Sequence, residues 1–267
     1  MAKPVRSTAA RWMRKTIALA GLLECTMLAR GGAQAPALPF DVGERLRYRV
    51  TLGRLGAVGE GEMSVGGPEA IRGTETLVLR SQVSARIGFV KTTERAQSWI
   101  DPTRMTALRY FKRTQRPLSR DDEQQVELFP EQRRWEDERG GRSGESPTSA
   151  PLDELSFIYY LRTLPLDADT TNSVVRHYDA ARNPIAVRVV GRDTVRTSAG
   201  TFPTIVVEMR VKDPRRYGGE GVIRLHLSDD TFRYPVRIES SIPVLGATVL
   251  TLESVTRPPG RLARRPE

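Results

Sequence analysis

Apolar and polar residues alternate with a period of two along much of this chain, which restricts its fold to antiparallel β-sheet. Leu46, Tyr48, Val50 and Leu52 share one face of a strand, and Arg45, Arg47, Arg49 and Thr51 the other, because successive strand side chains point to opposite sides. The pattern returns in Leu77, Leu79, Ser81, Val83 and Ala85, then in Ile185, Val187 and Val189. It continues in Val222–Leu227, Val236–Glu239 and Thr248–Leu252. Turn signals separate the runs: Gly66-Gly67-Pro68, Asp101-Pro102, Asn183-Pro184, Ala199-Gly200, Gly218-Gly219 and Asp229-Asp230. Many short strands so spaced predict a meander folded as a sandwich, a barrel or a strongly curved sheet.

One segment, about 152–164, breaks the alternation and has helical spacing. Leu155, Ile158 and Leu161 share a face with Tyr159 beside them, Asp153 is placed to cap the start, and Pro165 ends the helix. Phe157, Tyr160 and Leu164 form a second apolar side, so the helix is apolar nearly all round and must be covered by the sheet. The predicted fold is therefore mainly β, a curved antiparallel sheet or open β-barrel wrapped around one apolar helix. The glycines Gly56, Gly59 and Gly61 suit such curvature, since glycine permits sharp bending or close backbone approach. A phosphate-binding loop is excluded there, because no helix pattern follows and no Lys-Ser/Thr pair closes it.

The N-terminus gives an address. Lys3, Arg6, Arg11, Arg14 and Lys15 precede an apolar run from Ile17 to Ala29, and Ala33-Gln34-Ala35 offers a small-x-small cleavage site before Pro36. Residues 1–35 read as a secretory signal peptide, too short in its apolar part for the ~20 residues that span a bilayer. Glu24 is the one residue that fits this poorly. The sole cysteine, Cys25, follows Glu24 rather than the small residue that lipoprotein processing requires, and cleavage after Ala35 discards it. The mature chain then has no thiol chemistry, thiolate metal site or internal disulfide. Removing residues 1–35 lowers the formal charge from +10 to +5, leaving 36 Lys and Arg against 31 Asp and Glu. Basic residues alternate with acids, as in Glu131–Arg139, which argues against nucleic acid as a partner. Residues 36–257 are read as a single β-rich domain and 258–267 as a disordered Pro/Arg-rich tail. The Gly/Ser-rich stretch 139–149 is expected to be a loop, either within that domain or at a boundary.

Four patches carry a resemblance. They are Pro39–Tyr48 (PFDVGERLRY), Leu152–Arg162 (LDELSFIYYLR), Thr197–Phe202 (TSAGTF), and Leu225–Asp230 (LHLSDD) with Tyr234–Arg237 (YPVR). In order and spacing they resemble the DUF3108 family of exported bacterial proteins, whose biochemical role is undefined, over nearly all of 38–255. Leu227 stands where a Trp is more typical, and the 139–149 loop is longer. The resemblance brings no catalytic residues. It implies an organism with an outer membrane, and so a periplasmic location peripheral to that membrane. A sheet curled around a helix is also similar to periplasmic lipoprotein carriers, an analogy of fold only.

Candidate chemistry is sparse. Asp229-Asp230 lies between two strand patterns, where Asx side chains favour a turn. His177 and His226 are the only histidines, and neither has a third zinc ligand at helical or hairpin spacing. His177 and Asp179 fall on one strand face, which could orient an imidazole, yet no nucleophile is legible beside them. Both histidines read as surface residues. Ser156 lies in the helix, outside any Gly-x-Ser-x-Gly elbow. No catalytic residue, cofactor or metal is assigned. Phe157, Tyr159, Tyr160, Trp99 and Trp135 are the candidates for an apolar groove between helix and sheet. The expected function is a non-enzymatic envelope binding or accessory protein holding a lipid or other amphiphile there. The alternatives are an interaction module that engages an anionic polymer or envelope protein through basic strand faces, and a hydrolase built on His177 or Asp229-Asp230.

Overall fold

A computed structural model describes residues 38–117, 121–167, 171–213, 218–242 and 246–257. The expected signal peptide at 1–35 and the expected tail at 258–267 lie outside the described residues. The chain begins in the middle of its sheet with β1 (Arg45–Leu52), β2 (Ala57–Ile71), β3 (Thr74–Ile87) and β4 (Val90–Asp101). It then steps outward through β5 (Thr106–Gln115), β6 (Asp122–Phe129), β7 (Arg134–Asp137) and β8 (Arg142–Glu145), which forms one edge. After α1 (Glu154–Leu161) it resumes at the opposite edge with β9 (Thr171–Val174). It returns inward through β10 (Ile185–Thr197), β11 (Gly200–Asp213), β12 (Gly219–Ser228), β13 (Pro235–Ile242) and β14 (Gly246–Thr256). β14 pairs antiparallel with β1, giving one fourteen-stranded sheet in the order β8-β7-β6-β5-β4-β3-β2-β1-β14-β13-β12-β11-β10-β9.

The predicted class, a curved antiparallel sheet around one apolar helix, is the observed one. In β1, Leu46, Tyr48, Val50 and Leu52 are buried, while Arg45, Arg47 and Arg49 point outward to Glu62 and Glu253. Asp153 caps α1 by accepting hydrogen bonds from the Leu155 and Ser156 amides at 2.9 Å each, and Ser156 Oγ in turn accepts one from the Asp153 amide. One continuous apolar cluster joins α1 to side chains of every strand except β8. Between β8 and α1 the chain crosses both halves of the sheet. Pro151 accepts a bond from the Ala107 amide of β5, and Leu152 pairs in parallel with residues just beyond β9 through Arg176 and Tyr178.

Two local expectations differ. Gly66-Gly67-Pro68 is a bulge within β2, not a turn; the turn falls at Arg72-Gly73, where two positive-φ residues reverse the chain. The 139–149 stretch contains the short edge strand β8, so it is not a plain loop. Gly59 is there for close approach: a Cβ on it would fall 1.9 Å from the Ser84 carbonyl oxygen of β3.

The largest fully buried side chain is that of Arg162, just past α1. It forms a bidentate pair with Glu44 at 2.7 and 2.8 Å and donates to the carbonyls of Pro39 and Phe232. Breaking a pair buried this fully costs ~3–5 kcal/mol, because it leaves one charge in apolar surroundings. Arg162→Met is expected to lose that much stability in urea unfolding, and Glu44→Gln/Arg162→Met to lose less than the single variant. A single-variant loss below ~1 kcal/mol would contradict this account.

Candidate functional site

The expected groove residues do not all face one space. Phe157 packs edge-on to Tyr160 with ring centroids 5.9 Å apart, and Tyr159 packs edge-on to Phe40 at 4.9 Å. Trp135 meets Tyr178 at 5.3 Å and covers Gly144, which ties β7 and β8 to the segment after β9. These rings belong to the continuous cluster around α1 or pack against it. Trp99 does not. It lies across the ladder from Val78, donates to Glu69 at 2.7 Å and carries Arg109 over its ring, on the face opposite Ser98, which bonds the helix cap. The alternation of β4 puts Ser98 inside and Trp99 outside, so Trp99 is no part of an interior groove.

Where α1 begins, polar groups are sealed beneath the sheet. Ser98 donates to the second oxygen of Asp153 at 2.5 Å. Burial raises the Asp153 carboxyl to about 6, although the bonds from Ser98 and the Ser156 amide favour its charged form. Burial also acts against the Glu154 charge, but Arg182, Lys112 and His177 outweigh it and hold the carboxyl at about 2. His177 is buried, contrary to the expected surface position. Its Nδ1 accepts the backbone N–H of Asp179 at 3.0 Å, while the Asp179 carboxylate caps the following turn at Ala181. The His177–Asp179 pairing is thus a local turn, and among the described residues no hydroxyl or thiol bonds the ring.

His226 is also buried, on the outer side of β12. It lines a shallow cleft of about 370 Å³ opened by the bulge at Gly191 in β10. Its ring nitrogens lie 3.6 Å from Asp193 and 3.7 Å from Glu239, beyond hydrogen-bonding reach. Burial lowers its pKa, with Glu239 opposing and Arg237 reinforcing the shift. Among the described residues no group of His, Cys, Asp and Glu is arranged to hold a metal ion. Asp230 is a structural turn residue, accepting from Ser228 Oγ and from the Phe232 and Arg233 amides, and Asp229 pairs with Arg192 and Arg233.

The strand faces are not basic stripes either. Glu127 sits between Arg72 and Arg109, and Glu208 takes Arg188, Arg210 and Arg224. Glu69 takes Arg80. Each of these acids neutralises at least one cation from a neighbouring strand.

Comparison with known proteins follows the same lines. The model of a protein family of unknown function, DUF3108, matches residues 47–253. The chain belongs to the DUF3108 family. Among solved structures it is similar to a β-barrel-like protein of the DUF1849 family from Brucella abortus. That likeness has a TM-score of 0.58 at 11% identity, covering 82% of this chain and 99% of that one, and it shows shared fold alone. A protein described as exported, with a YmcC-like fold, from Bacteroides fragilis gives a TM-score of 0.35 at 14% identity, over 82% of this chain and 98% of that one. No curated protein matches in sequence.

In this DUF3108 chain, three of the four patches that carried the resemblance converge on Arg162. Pro39–Tyr48 supplies Glu44, Phe40 and the Pro39 carbonyl, and α1 supplies Arg162 and Tyr159. The β12–β13 turn supplies the Phe232 carbonyl and the Tyr234 ring. The sequence carried a signal for this hub, an arginine ending an otherwise apolar helix, since arginine is almost never fully buried unless paired.

His177 also makes stability depend on pH. Burial lowers its pKa to about 4, with Arg182 reinforcing the shift and Glu154 and Asp179 opposing it. The folded state therefore refuses a proton that the unfolded chain takes near 6.5. Its contribution is complete above pH 6.5 and falls as pH drops through 4. Relative to His177→Gln, the native protein is expected to lose about 3 kcal/mol of stability between pH 6.5 and 4. A pH-independent difference in denaturant midpoints would show that His177 titrates as if solvated.

Proposed function

We propose that this DUF3108 protein is an exported, non-enzymatic accessory component of the periplasmic cell envelope that works through its outer surface. The observation that carries this reading is the packed interior. Phe157, Tyr159 and Leu161 of α1 are all buried in one apolar cluster that reaches across both halves of the sheet. The N-terminal pattern of cations, short apolar run and Ala33-Gln34-Ala35 supports export. The non-enzymatic reading is supported by the two histidines: the His177 ring accepts only a backbone N–H, and no hydroxyl or thiol is among the residues lining the His226 cleft. Neutralised strand faces weigh against an anionic polymer lying along them.

A second reading, an amphiphile held between sheet and helix, keeps one observation in its favour. Trp135 Nε1 and Tyr159 Oη are buried in the apolar cluster with no hydrogen-bond partner among the described residues. Native mass spectrometry of the protein purified gently from its own envelope fraction separates the two. The outer-surface reading expects the bare mass of the processed polypeptide. A reproducible extra mass, lost in organic solvent and identified as lipid, would sink it and install the amphiphile reading.

A further inference from the structure

The exposed apolar side chains of this sheet are not scattered. Among the described residues, four of the seven large ones, Leu55, Ile87, Phe89 and Val90, sit at two neighbouring hairpin ends. Phe89 is the extreme case, with an exposure of 102%, and Leu55 and Val90 follow at 62% and 53%. The β3–β4 hairpin closes on the Ile87–Val90 pair through a two-residue loop, with Gly88 at φ +59° taking the strained first position and Phe89 projecting beyond it. The β1–β2 hairpin closes through Gly53–Leu55 and Gly56. The last pair of the β2–β3 ladder is Gly59–Ala85, and from it both strands run on into these two hairpin ends. The two hairpins therefore close at the same end of the sheet, on neighbouring strands.

Their charges differ from those of the rest of the sheet. Arg54, Arg86 and Lys91 flank the apolar tips, are exposed, and form no ion pair among the described residues. Glu60 is the one acid between residues 53–60 and 84–93. Most strand arginines elsewhere face acids, whereas these three cations stand without one beside the apolar side chains. Two hairpin ends make a narrow point, unlike the roughly 800 Å² per side of a specific protein interface. A point of aromatic and aliphatic side chains ringed by cations matches a bilayer surface, with acyl chains beneath and anionic phosphates around.

We propose that the β1–β2 and β3–β4 hairpin tips insert Leu55, Phe89 and Val90 into the surface of an anionic phospholipid membrane, with Arg54, Arg86 and Lys91 on its phosphate groups. This deepens the outer-surface reading and rests on it for the protein's presence in the envelope. The test itself uses synthetic vesicles, so its failure leaves that reading standing, and an internal lipid found by mass would leave the vesicle result standing.

The test is co-sedimentation of the protein with phosphatidylcholine vesicles, with and without one quarter phosphatidylglycerol, at low and high salt. Residues 1–35, where retained, are common to every variant, so only differences between variants count. Binding is expected to need the anionic lipid and to weaken with salt. Phe89→Ser is expected to weaken it about thirtyfold, the loss of one buried phenyl, and Arg54→Glu/Arg86→Glu/Lys91→Glu by more than about a hundredfold. Phe89→Trp should shift tryptophan emission to the blue when anionic vesicles are added. All these positions are exposed, and unchanged unfolding midpoints will separate lost binding from lost fold. Variants that sediment as the native protein does would overturn the proposal. So would native protein that ignores vesicles but forms a dimer abolished by Phe89→Ser, which would give the tips to a second copy of the chain.

Discussion

The buried pair of Arg162 with Glu44 is the constraint on which the rest of this structure depends. A guanidinium has five donors and no way to neutralise itself, so burying it requires every direction to be answered. Glu44 answers two, the carbonyls of Pro39 and Phe232 answer more, and the rings of Phe40, Tyr159 and Tyr234 surround the remainder. These groups come from the stretch before β1, the end of α1 and the β12–β13 turn. Each must be in place for any of them to be satisfied. The pair therefore specifies where the helix ends relative to the middle of the sheet, a job that apolar contacts alone would do less selectively.

Topology explains why such a fixing point is needed. The chain reaches one edge at β8 and resumes at the other edge with β9, so α1 lies between two antiparallel halves. At its start the crossing is held by Asp153, Ser98 and the Leu152 bridge, and at its end by Arg162. Both edge strands are only four residues long, which limits the unpaired backbone they present to other chains.

The elements legible in the sequence were those whose two faces differ. β1, β10, β13 and β14 alternate cleanly because one face meets the helix cluster and the other meets water, and α1 announced itself through Asp153, its apolar residues and Pro165. β4 and β5 were not legible, because Trp99 and Arg109 cover the outer face while Lys112 stands on the inner one, which blurs the period. The edges β8 and β9 are polar and too short to show one. The same blurring misplaced Trp99, whose bulk suggested the interior while its parity in β4 puts it outside. His177 and His226 were misread as surface residues for a different reason. Their burial depends on a cross-chain bridge at Leu152 and on a bulge at Gly191, and neither is a local property of the sequence.

The placement of charge separates the surface that needs no partner from the surface that does. An outward arginine opposite a glutamate on the next strand is already answered, and displacing that glutamate for an external anion gains little. Arg45, Arg47, Arg49, Arg80, Arg109 and Arg224 are all in this position. Arg54, Arg86 and Lys91 have no such neighbour: Arg86 and Lys91 face each other across the β3–β4 ladder, and Arg54 lies in the β1–β2 turn. Evenly spread exposed apolar residues would require no explanation, whereas a fully exposed phenylalanine at the crest of a cationic tip does. Free charge and free apolar surface thus coincide at this end of the sheet, which is where an outside partner has both to bind.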